Sequence, residues 1–145
     1  MNASIQATTI DSVSKISCIP VLFRSEFSSV IVDLRPWTMD EKTQKQHDPN
    51  SIDFAFSFPK WHPSLGCGSI LLQVCFTDLF SEPNTNFYGV EAAGYRCQTQ
   101  CWRFSTAINW QFDGDLLPSN DCQQQLRCIF HRIYALFGQQ ASLLQ

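Results

Sequence analysis

Between residues 52 and 112 apolar residues recur at every second position, and beyond residue 120 they recur at helical spacing. Ile52, Phe54, Phe56 and Phe58 alternate with Asp53, Ala55 and Ser57, the period of a strand with one wet face. Ile70, Leu72, Val74 and Phe76 line one side of a second strand, and Leu71, Gln73 and Cys75 line the other. Phe87, Tyr88 and Val90 re-enter extended structure. The longest alternation, Trp102, Phe104, Thr106, Ile108, Trp110 and Phe112, predicts one long strand. Just upstream, Cys97, Thr99 and Cys101 run one residue out of step with it. A one-residue slip reverses the side-chain faces, so a β-bulge near Gln100 is expected.

Ile19, Val21 and Phe23, followed by Val30, Val32 and Leu34, predict two earlier strands, with Pro20 at an edge because it donates no ladder hydrogen bond. Residues 1–17 are polar and aperiodic and read as a weakly ordered lead-in. Residues 36–50 form the most polar stretch, where Thr38 and Glu41 match a capping box with no apolar run behind it. Pro118 to Asp121 is a helix start with Ser119 or Asn120 as N-cap. Cys122, Leu126, Ile129, Phe130, Ile133, Leu136 and Phe137 then make one helical stripe, and Gly138 reads as the stop. The expected fold is α+β: a single domain over 18–145, with a curved antiparallel sheet of about five to seven strands over 18–112. A C-terminal amphipathic helix over 120–137 packs on one face.

Composition sharpens this picture in three ways. A hydrophobic fraction of 44% against 16% charged residues is enough apolar material for a folded core. A net charge of -3 disfavours a broad nucleic-acid surface, which needs basic groups to neutralise phosphates. No run approaches the roughly 18 apolar residues of a membrane span, and residues 1–17 lack the pattern of a secretory signal. The expectation is a cytoplasmic protein whose seven cysteines, an odd number, are reduced.

Candidate chemistry falls in four places. Cys67 lies between Gly66 and Gly68 with His62 on the same loop, the minimum for a thiolate paired with a base; no nearby acid is placed to orient His62, and Asp78 is a candidate only once the chain folds. Cys97, Cys101, Cys122 and Cys128, with His131, have the count for zinc but not the spacing. In a strand Cys97 and Cys101 would stand about 13 Å apart, and residues six apart on a helix point to opposite sides. No metal and no cofactor is therefore expected. Tyr95, Arg96, Trp102, Arg103 and Phe104 mix aromatic and basic groups as a single-strand nucleic-acid platform does, but alternation puts Trp102 and Phe104 on one face and Arg103 on the other. Arg127, His131 and Arg132 form a basic run on the helix, suited to a phosphate or an acidic partner, or simply to the helix dipole.

With four Trp and twelve Phe in one small domain, and aromatic residues favoured at interfaces, the leading expectation is a small interaction or regulatory module without catalytic activity. It would bind a protein partner or associate with itself as a homodimer. The alternatives are a thiol enzyme using Cys67 and His62, and a single-stranded nucleic-acid-binding module using Arg96 and Arg103.

Overall fold

In the computed structural model the described residues are 2–6, 10–36, 50–77 and 87–143, and side chains beyond Gly138 are outside the description. The elements run α1 (Ala3–Gln6), α2 (Ile10–Glu26), β1 (Ile31–Asp33), β2 (Ser51–His62), β3 (Cys67–Phe76), β4 (Phe87–Arg96), β5 (Thr99–Ser105), a 3-10 turn (Thr106–Ile108), β6 (Gln111–Gly114) and α3 (Asn120–Leu143). The six strands form one antiparallel meander in the order β1 to β6. The α+β reading is correct, with two N-terminal helices, α1 and α2, added. The Thr38–Glu41 capping box and Asp78 lie outside the described residues.

Even-numbered positions of the central strands set the buried face. Phe54, Phe56, Ile70, Leu72, Val90, Ala92, Trp102 and Phe104 are all essentially inaccessible. Helices α2 and α3 cover that face together. Phe23 of α2 stacks on Phe56 at 3.8 Å, and Phe130 of α3 stacks on Phe104 at 4.4 Å. Gln125 of α3 donates its amide to the Glu26 carbonyl of α2 at 3.2 Å, tying the two helices. The core absorbs most of the aromatic content, since nine phenylalanines are buried. Among the described residues Trp61 and Tyr88 remain exposed outside it.

Three sequence expectations are corrected. Residues 10–26 form a helix, not a lead-in followed by a strand. Ile16, Ile19 and Phe23 follow helical spacing and face the sheet, whereas Ile10, Val13 and Val21 are exposed on the opposite side. Apolar residues on both sides of α2 erased the periodic signal. Pro20 sits within the helix and withholds one backbone hydrogen bond.

The predicted long strand 102–112 is a hairpin. Ser105 caps the 3-10 turn by accepting from the Ala107 N–H, and Asn109 and Trp110 both take left-handed backbone at φ 54 and 57. Phe104 and Phe112 pair directly across β5 and β6, so both keep the same face and the alternation survives the reversal. Ile108, at the turn, is exposed.

Gly138 does not end the C-terminal helix, which runs on to Leu143. An internal glycine weakens a helix by roughly 1 kcal/mol without terminating it. Two finer expectations match the structure. The Ser119 hydroxyl accepts from the Cys122 N–H at 3.2 Å as N-cap. Between β4 and β5 the register passes from Tyr95 opposite Gln100 to Gly94 opposite Trp102, leaving Cys101 as the extra residue of a bulge.

Candidate functional site

The odd-numbered positions of β2 to β5 form the other face of the sheet, away from α2 and α3. Cross-strand register aligns them in rows. Asp53 faces Gln73, Gln73 faces Glu91 and Glu91 faces Ser105; one row along, Ala55, Leu71, Ala93 and Arg103 line up. Tyr95 and Gln100 form the next pair. A cavity of about 290 Å³ opens here, lined by Leu71, Gln73, Glu91, Ala93, Tyr95 and Arg103, with Gln100 and Ala92 completing it. Ala93, between Leu71 and Arg103, has too short a side chain to fill the space, which gives the depression its floor.

Its polar walls are fixed from one side. Glu91 Oε1 accepts from the Arg103 guanidinium and from the Ser105 hydroxyl, the latter at 2.9 Å. Gln73 donates its amide N–H to Asp53 Oδ1 at 3.4 Å, and the Ser51 hydroxyl donates to the same oxygen at 2.6 Å. Asp53 is itself fully buried. Among the described residues no hydrogen bond engages Glu91 Oε2, the Tyr95 hydroxyl, Gln73 Oε1 or the Gln100 amide. Half-burial pushes the Tyr95 phenol up from its usual range, keeping it protonated as a donor.

The residues singled out from sequence are dispersed. Cys67 and His62 pair across the β2–β3 hairpin. The Cys67 thiol, however, is fully buried. Burial pushes its pKa up to about 12, the nearby Trp102 indole opposes that rise, and Cys101 and Cys122 add to it. At neutral pH such a thiol is almost wholly protonated, the opposite of an activated nucleophile. His62 Nδ1 accepts the Leu65 N–H at 3.1 Å, and Phe58 packs at 5.0 Å. His62 borders a shallow depression of about 670 Å³ between the end of α2 and the start of α3, and Cys67 does not line it.

The arginines are likewise separated. Arg103 belongs to the open-face cavity, while Arg96 lies over the Trp61 ring at 5.7 Å. Arg127 covers Phe104 and Phe112 at 5.8 and 5.2 Å. His131 stacks on Trp110 at 4.6 Å, and Arg132 is exposed on α3. These cations do not converge on a phosphate-sized site. All seven cysteines are free, and among the described residues no three His, Cys, Asp or Glu side chains gather as metal ligands. Among them, too, no helix is long and apolar enough to cross a membrane.

Glu91, Gln73, Gln100, Leu71 and Ala93 were not singled out from sequence as site residues. Gln73 and Glu91 signalled themselves as polar residues at odd positions of successive strands, whereas Leu71, Ala93 and the even-numbered Gln100 join the site only through the register and the bulge.

No curated protein and no solved structure matches this chain. A family model described as a domain of unknown function matches residues 4–139, nearly the whole chain, and the protein belongs to that family.

Proposed function

We propose that this domain is a binding module without catalytic activity that works through the open face of its sheet. The observation that carries the reading is the cavity around Ala93, where Glu91, Tyr95, Gln73 and Gln100 hold unused hydrogen-bonding capacity at the edge of an apolar floor. Polar groups converging on a concave apolar surface are the usual composition of a ligand site. The protonated, buried Cys67 and the engaged His62 weigh against a thiol enzyme. The partly exposed Glu91 carboxylate on the open face weighs against a nucleic-acid backbone, because it repels phosphate.

The test compares wild type with Ala93→Trp, which fills the cavity. Both are titrated with free amino acids, monosaccharides and mononucleotides while backbone amide resonances are followed. Saturable shifts confined to β3, β4 and β5 in wild type and lost in the variant support the reading. Shifts elsewhere, or shifts that survive the substitution, overturn it.

A further inference from the structure

Glu91 and Arg103 are the two charged residues among those lining the open-face cavity, and they form an ion pair. The contact is one-sided. Arg103 and Ser105 both use Glu91 Oε1, which leaves Oε2 and the other guanidinium N–H groups without a partner among the described residues. Both side chains remain partly accessible, at 43% for Arg103 and 28% for Glu91. The pair therefore presents one negative and one positive terminus side by side, with no net charge.

A ligand with a single charge gains little from such a pair. An anion drawn to Arg103 is repelled by Glu91 at nearly the same distance, a cation meets the reverse, and the two Coulomb terms largely cancel. A ligand carrying both charges in the opposite order gains from both. In an α-amino acid the ammonium and the carboxylate are separated by one carbon, a spacing matched to two termini already in contact. At about 290 Å³ the cavity lies just under the size range of drug-like sites, suited to one small molecule. Leu71, Ala93 and the Tyr95 ring form an uncharged floor for a side chain, so an apolar or aromatic amino acid fits better than one bearing a third, unmatched charge.

We propose that the open-face cavity binds a free amino acid with an apolar or aromatic side chain, its carboxylate on Arg103 and its ammonium on Glu91; this rests on the reading of that face as the working surface. The protein is titrated with L-leucine and L-phenylalanine. N-acetyl-leucine, leucinamide, acetate and methylamine serve as one-charge controls. Saturable shifts at Ala93, Tyr95 and Arg103 are expected, with every control at least tenfold weaker and little response to added salt. Glu91→Gln and Arg103→Gln should each weaken binding at least tenfold while leaving the melting temperature near that of wild type. Should either variant unfold, the control series on wild type decides alone.

No saturable shift with either amino acid, or binding of leucinamide and N-acetyl-leucine within threefold of leucine, overturns the proposal. A monosaccharide or mononucleotide that binds at Ala93 when the amino acids do not removes this proposal and leaves the open-face reading standing. Binding confined to another surface removes both.

Discussion

Gly94 on β4 lies directly across from Trp102 on β5, and a Cβ at position 94 would overlap the indole ring. The missing side chain lets the largest core residue lie flat on the neighbouring strand. From there Trp102 Nε1 donates to the Leu65 carbonyl at 2.7 Å, joining β5 to the β2–β3 turn. Gly94→Ala should cost about 1–3 kcal/mol by overpacking. Trp102→Phe should cost a similar amount by leaving the Leu65 carbonyl unpaired. Because the clash needs the indole, the double variant should fall short of the sum, which urea denaturation of the cycle would measure.

Cys67 should make the fold sensitive to alkali. Its thiol is raised from an ordinary value of 9 to about 12, so the folded state holds this proton more tightly than the unfolded chain does. The stabilisation is complete below about pH 9 and is lost as pH climbs toward 12. Tyr95, also raised by burial, adds in the same direction. Cys67→Ala should flatten the fall in unfolding free energy between pH 9 and 12. In native protein Cys67 should also alkylate far more slowly than the exposed Cys97.

At Trp110 the ring and the backbone pull in opposite directions. The side chain stacks on His131 and packs 5.2 Å from Tyr134, while the backbone at φ 57 favours glycine and disfavours alanine or tryptophan. Trp110→Ala and Trp110→Gly both lose the packing, and only glycine relieves the backbone. The glycine variant should therefore be the more stable by about 1 kcal/mol, the reverse of the order in a helix or strand. Thermal melts of the two variants give the difference directly.

Lys15 is a charged residue placed against the core. Its Nζ lies 3.3 Å from Asp11 Oδ2 and 5.7 Å from the Phe137 ring, with the side chain only 12% exposed. Asp11, at 54% exposure, stays in water without its partner, so replacing Lys15 by an apolar residue of similar length strands no buried charge and removes the cost of burying the ammonium. Lys15→Met should leave stability unchanged or raise it by about 1 kcal/mol, and a clear loss in denaturant titration would contradict this.

The Glu91–Arg103 pair should contribute little to stability. With both partners partly in water, either glutamine variant should cost less than about 1 kcal/mol. Equilibrium denaturation at low and high salt would show whether these residues are free to serve binding without holding up the fold.

Strands β2 and β3 and the start of α3 were legible because each carries one unambiguous period: Phe54, Phe56 and Phe58 at every second residue, Leu126, Ile129, Phe130 and Ile133 at helical spacing. Helix α2 was not, because exposed Val21 falls between buried Ile19 and Phe23 and imitates a strand. The β5–β6 reversal was hidden by its own register, since pairing Phe104 with Phe112 preserves the parity that a single strand would have. The Cys67–His62 proximity was legible only as a shared loop, which the structure resolves into a cross-strand pair, and burial, which decides reactivity, is a tertiary property. The open-face cavity draws on residues from 71 to 103, and no local pattern brings Glu91 to Arg103 before the strands pair.

Helices α2 and α3 flank the sheet in sequence yet share its inner face, with residues as far apart as Glu26 and Gln125 in contact. During translation, therefore, the aromatic rows of β2 to β5 emerge from the ribosome with half their cover missing. Synthesis of Leu126 to Phe137 is what seals them. A stalled or truncated product ending near residue 118 would display Phe104 to solvent and become a client for chaperones or proteases.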